Sequence, residues 1–304
     1  MSTPSQRVRA FSKATFAVVV WGASFIATKM VLREVPPVVV IWLRFGIGVV
    51  VLGCFMASRN ELALPARQEL GYFALIGFLG ITFHQWLQVT GLVTARATTT
   101  AWIITTIPIF IALLSRLMLN EKLGWGRIGG ILLASAGVIL VVSHGDVGSV
   151  LSGQFGTSGD LLVLISAANW AVFSVLSRKA LRVHPATQMM FYVMGFGWLF
   201  TSIWFALTHQ AGLVATLSLQ GWASVLFLGI LCSGFAYVSW YDALKELDAS
   251  QVGSFLYIEP LVTVALAALF LDESLYLAAL VGGILIFTGV WLVNHRKPLD
   301  AAAS

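Results

Sequence analysis

The chain has 304 residues, of which 59% are hydrophobic and only 10% charged, with a formal net charge of +5. Soluble domains carry about 25% charged residues, so a water-soluble globular protein is excluded and lipid is the relevant solvent. The basic residues lie scattered between apolar runs, which speaks for membrane orientation and against nucleic-acid binding.

In chain order, the basic start MSTPSQRVRAFSK leads into an apolar stretch that runs on to Lys29 without a small-x-small cleavage signal. It reads as a retained first span, not as a signal peptide. A hydrocarbon core of roughly 30 Å needs about 20 helical residues. Ten segments qualify, near 14–33, 36–57, 70–91, 96–118, 124–143, 159–181, 185–208, 221–244, 249–271 and 275–294. The longest connection, His144 to Ser158, is rich in Gly and Ser and divides the chain into halves, 14–143 and 158–294. Continuous apolar runs of this length exclude the alternating ten-residue strands of a membrane barrel.

With the N-terminus inside, 14 of the 18 basic residues collect on the cytoplasmic side, while the loops 144–158, 209–220 and 272–274 carry no Lys or Arg. The positive-inside rule therefore predicts a multi-pass protein of the cell inner (plasma) membrane with both termini in the cytoplasm. Cys54 and Cys232 lie in apolar runs with no second Cys or His at ligand spacing. Neither a disulfide nor a metal is expected, and no cofactor is implied.

Sliding the chain by 152 residues aligns its halves: Gly77 meets Gly229, Phe83 meets Phe235, Thr98 meets Ser250, Pro108 meets Pro260, Glu121 meets Glu273, Gly130 meets Gly282 and Gly137 meets Gly289. At an offset of 149, Trp21 meets Trp170 and Pro36 meets Pro185. Five spans per half is an odd number, so the second half enters from the opposite face. The predicted fold is an all-α integral membrane protein of ten transmembrane helices in two inverted five-helix repeats, a layout that puts the substrate site near the midplane.

The stretches WGASFIATKMVLREVPPVVVIWLRF, TIPIFIALLSRLMLNEKL and YIEPLVTVALAALFLDESL, the latter two followed by GGILLASAGVILV and GGILIFTGVWLV, resemble the two EamA units of the drug/metabolite transporter superfamily. The duplicated P-x12-E-x-L pattern with its following paired glycines is the specific part. This resemblance implies export or exchange of small metabolites, often amino acids, and leaves the solute open.

Ionisable groups inside a span cost about 2.5–3.5 kcal/mol at the centre, so each needs a partner, a wet cavity or a function. Arg44 stands about 12 Å below the outer end of span 2, and Glu259 and Asn169 fall about 15 Å along spans 9 and 6. Either Arg44 attracts a substrate carboxylate while Glu259 takes an ammonium or a proton, or the two satisfy one another. His84 and Gln88 share a helix face at i, i+4; they line the pathway, carry a proton or hold helices together. Lys29 either snorkels to water or joins an outer vestibule. Trp21, Trp102, Tyr237 and Trp240 offer aromatic walls for an amphipathic solute or plain packing. Glu121 and Glu273 are read as fixing the turns into spans 5 and 10, the Gly129–Gly130 and Gly282–Gly283 pairs as permitting close helix contact, and Pro108 and Pro260 as interrupting matching spans.

No Gly is followed by Lys, so the phosphate-cradling loop of an ATP pump is missing; no H-E-x-x-H motif is present, and no enzyme is expected. A facilitative channel is the rival to a carrier. The partners expected are a small-molecule substrate and the bilayer. The Gly126-x3-Gly130 spacing fits packing within one chain as well as dimerisation, and a monomer is the working expectation.

Overall fold

The computed structural model describes residues 4–119, 125–146, 148, 156–247, 255–274 and 276–295, and among these there is no strand. Helix α1 (Pro4–Leu32) turns into α2 (Pro37–Ser58), whose first helical position is a proline that gives up no backbone bond there. The third span is composite: α3 (Leu70–Gly77), a π-helical segment Phe78–Phe83, and α4 (His84–Thr94). The fourth breaks ahead of Pro108 into α5 (Ala97–Ile104) and α6 (Ile107–Leu119), followed by α7 (Trp125–Val142). The later chain gives α8 (Ser158–Leu181) and α9 (Ala186–Leu207). Then come α10 (Leu219–Leu226), a second π-helical segment Phe227–Phe235, and α11 (Ala236–Glu246). Last are α12 (Ile258–Phe270) and α13 (Leu277–His295).

Six helical stretches are long and apolar enough to cross a membrane, from Val8–Leu32 to Leu219–Trp240. Shorter apolar helices, Ala97–Ile111, Ile128–Val142, Phe255–Phe270 and Leu277–Val293, fall on predicted spans 4, 5, 9 and 10. At the break before Pro108, the hydroxyls of Thr105 and Thr106 donate to the carbonyls of Ala101 and Ile103, which also accept the backbone N–H groups of the same two threonines. Pro260 differs from Pro108: it sits in the first turn of α12, where a proline disturbs little.

Close packing runs through glycines. A Cβ on Gly130 would lie 2.6 Å from the Gly289 carbonyl oxygen, and one on Gly137 would lie 2.6 Å from that of Gly282. Helices α7 and α13 therefore cross backbone to backbone, at contacts where each glycine meets the counterpart of the other. Gly130 is consumed inside the chain. Gly129 meets nothing within 4 Å, and Gly283 packs on the Trp102 ring. Elsewhere Gly48 of α2 lies on Ser233, and Gly197 of α9 on Ile81 and the Gly77 carbonyl, so each π-helical segment is clasped by a neighbouring helix. The two segments end at Phe83 and Phe235, the pair aligned at the 152-residue offset. A π turn shifts the backbone bonding register, and in the first segment Asn169 of α8 donates to the Leu79 carbonyl at 2.8 Å.

The acidic turn residues reach farther than expected. Rather than fixing its own turn, Glu273 accepts from the backbone N–H groups of Ala97 and Thr98 at 2.8 and 3.1 Å and from the Thr98 hydroxyl at 2.8 Å. A carboxylate between α12 and α13 thus caps the start of α5, where orphan donors and the helix dipole favour negative charge. Glu121, Ala249 and Ser250 lie outside the described residues, as does most of the joint between the halves.

Candidate functional site

Arg44 is 5% exposed. Its Nε donates to the Ser233 hydroxyl at 3.0 Å, Nη1 to Gln85 Oε1 at 3.4 Å and Nη2 to Cys232 Sγ at 2.9 Å. The second π-helical segment presents Cys232 and Ser233, and α4 presents Gln85. All three partners are neutral, and among the described residues no carboxylate lies within ion-pair distance of this guanidinium. Hydrogen bonds to a charged group contribute about 1.5–3 kcal/mol each, enough to hold the side chain in place. They leave its charge uncompensated.

Aromatic side chains pack beside this centre. The Trp21 ring lies 5.3 Å from that of Tyr237 and 5.2 Å from that of Trp240, and its indole N–H donates to the Cys232 carbonyl at 3.4 Å. Glu259 stands across α1. Its carbonyl, with that of Gly22, accepts from the Thr263 hydroxyl, which ties α12 to α1 one residue from Trp21. Among the described residues no ion pair joins Arg44 to Glu259. Arg44, Gln85, Cys232, Ser233, Trp21, Tyr237, Trp240 and Glu259 thus form one neighbourhood drawn from both halves of the chain.

The other sequence candidates fall elsewhere. His84 is 4% exposed; its Nδ1 lies 3.1 Å from the Ser166 carbonyl, so that nitrogen carries the proton, and its ring lies 4.7 Å from Trp170. It joins α4 to α8, while Asn169 of α8 bonds the preceding π-helical segment at Leu79. Gln88, half-buried, lies on the His84 face, whereas Gln85, which sequence reasoning did not select, reaches Arg44. Cys232 and Ser233 were missed as well; no spacing in the sequence marks them. Trp102 packs on α13, 5.2 Å from Phe287, and its buried indole N–H has no partner among the described residues. Trp102→Phe therefore removes no hydrogen bond, and it is expected to leave exchange within about twofold of the parent rate, as read by initial rates in proteoliposomes.

Lys29 lines a separate cavity of about 340 Å³ at the end of the bundle opposite the N-terminus, with Leu32, Arg33, Leu92, Val93, Arg96, Leu271 and Glu273. Below it Phe25, Ile26, Leu92, Ala97, Ala101 and Ala267 form a buried apolar cluster.

Known proteins place this architecture. A solved structure superposes with a TM-score of 0.64 at 24% identity, covering 96% of this chain and 97% of that one, which establishes the fold. A protein of Archaeoglobus fulgidus named as an uncharacterized transporter is 30% identical over 284 residues, 92% of this chain and 95% of that protein. A probable terminal-alkyne amino-acid exporter of Streptantibioticus cattleyicolor is 29% identical over 290 residues, 94% of each. The profile of the EamA-like transporter family matches residues 10–143 and 157–295. The chain is a membrane transporter and belongs to the EamA-like transporter family.

Proposed function

We propose that this transporter is a secondary carrier that exchanges or exports small organic carboxylates, amino acids above all, by alternating access between two inverted halves of five spans each. One observation carries the reading: Arg44 is a buried cation held by neutral groups alone, and a buried charge without a counter-charge favours an anionic ligand. Trp21, Tyr237 and Trp240 supply an amphipathic wall, and Glu259, whose backbone packs on Gly22 beside Trp21, is the carboxyl group to receive the ammonium of a zwitterion. The name of the Streptantibioticus relative is consistent with this substrate class. The distribution of basic residues supports an inner-membrane protein with cytoplasmic termini.

Counterflow in proteoliposomes tests the proposal. Liposomes loaded with an unlabelled amino acid should accumulate the labelled one transiently, with saturable initial rates, for at least one member of an aliphatic and aromatic amino-acid panel. Flux that rises linearly with concentration and shows no trans-stimulation identifies a channel instead.

A further inference from the structure

The cavity at the end opposite the N-terminus carries more positive charge than its architecture uses. Lys29 stands in the last turn of α1, Arg33 is the residue that follows that helix, and Arg96 immediately precedes α5, so three cations line a space that holds one carboxylate, Glu273. Glu273 is 8% exposed, and both of its oxygens are taken by Ala97, Thr98 and the Thr98 hydroxyl. Lys29 Nζ and Arg96 Nε make long ion pairs to those oxygens, at 3.9 and 3.8 Å and beyond hydrogen-bond length, so two cations share one already hydrogen-bonded carboxylate and Arg33 adds a third positive charge. Asp160 is the nearest other carboxylate; its Oδ2 accepts from the Thr157 N–H and hydroxyl at 2.8 Å each, its buried Oδ1 has no hydrogen-bond partner among the described residues, and it neither lines the cavity nor pairs with any of the three cations. Arg96 gives one N–H to the Ser274 carbonyl at 3.2 Å, which fixes the direction of its guanidinium without neutralising it. The remaining lining, Leu32, Leu92, Val93 and Leu271, is apolar.

We propose that this cavity is a second binding site, for a small carboxylate with an apolar body, whose charged end meets Lys29, Arg33 and Arg96 while its body lies on the four aliphatic side chains. Its volume of about 340 Å³ sits at the small end of ligand pockets, which run from roughly 300 to 1,000 Å³, and suits a molecule of amino-acid size. None of the residues that hold Arg44 lines this cavity, so it is a place where solute waits before or after crossing. The inference rests on the carboxylate chemistry proposed above but not on Arg44 itself.

The test uses full-length protein in phosphatidylcholine nanodiscs, which expose both faces. Modification of Lys29 by an amine-reactive ester is followed by peptide mass spectrometry, with the exposed Lys179 as internal reference. The probes are 4-methylpentanoate and its neutral isostere 4-methylpentanamide. The acid is expected to slow modification of Lys29 at least threefold relative to Lys179 and the amide to have no effect. Protection should persist in Arg44→Gln and vanish in Arg33→Gln and Arg96→Gln. Equal protection by acid and amide, no protection by either, or a Lys29 that never reacts overturns the proposal. So does Lys29 protection that needs only phosphatidylglycerol in the nanodisc, because a lipid phosphate is then the occupant. Protection that persists where counterflow fails keeps this site and removes the carrier reading; counterflow without protection does the reverse.

Discussion

Replacing Arg44 with alanine is expected to lower amino-acid exchange by about a hundredfold, because losing one member of a desolvated charge contact costs about 2–5 kcal/mol and 1.4 kcal/mol is a factor of ten. Arg44→Lys is expected to fail almost as badly. An ammonium is a point charge that cannot hold Ser233, Gln85 and Cys232 in one planar fan. Alanine also strands the acceptors on Ser233 and Gln85, so Arg44→Gln, which offers them a donor, is the control for folding. All three variants should elute as monodisperse helical protein with thermal midpoints close to one another, and the loss should appear in exchange rates. Full exchange in Arg44→Gln would return this residue to architecture.

The second large effect belongs to the crossing of α7 and α13. Gly137→Val places a branched side chain where even a Cβ would stand 2.6 Å from the Gly282 carbonyl oxygen and 2.8 Å from Ile286. The helices must separate along their whole contact, and overpacking of a tight interface costs about 1–3 kcal/mol or more. The thermal midpoint in detergent should fall by several degrees. Gly282→Ala adds little to Gly137→Ala, since the first Cβ has already opened the gap that the second would fill, and coupled neighbours are non-additive. Gly129→Ala, by contrast, meets open space and should leave the midpoint unchanged or slightly raised through helix propensity. Additive losses at Gly137 and Gly282 would show that the backbones do not touch.

The contrast between Gly129 and Gly130 shows how far sequence reasoning reaches. Apolar runs and basic loops announce spans because each span is a local property of about 20 residues. Which member of a glycine pair faces the partner depends on helical phase, and phase is lost wherever the helix is irregular. The π-helical segments Phe78–Phe83 and Phe227–Phe235 are such places. Their freed backbone groups are satisfied from other helices, as Asn169 does for Leu79, so no local signal announces them. The same blindness explains the glutamines. His84 and Gln88 do share a face, but that face meets Ser166 and Trp170, and it is Gln85 that reaches Arg44. Glu273 was legible as structural, since it lies far from the midplane; its targets, Ala97 and Thr98, lie 176 and 175 residues away and could not be read from the turn itself. Arg44 and Glu259 were conspicuous as charges in spans. That they do not pair with one another is a property of the fold alone.

The carboxylate-binding role of Arg44 is tested most directly by pairing substrate and protein changes in one cycle. Initial counterflow rates would be measured for an amino acid and its carboxamide, in the parent protein and in Arg44→Gln. The parent should favour the carboxylate by at least about tenfold, the scale of one charge-assisted hydrogen bond, and Arg44→Gln should carry the two solutes at equal, low rates. If the preference for the carboxylate survives intact in Arg44→Gln, the anion is recognised elsewhere and the central claim is wrong.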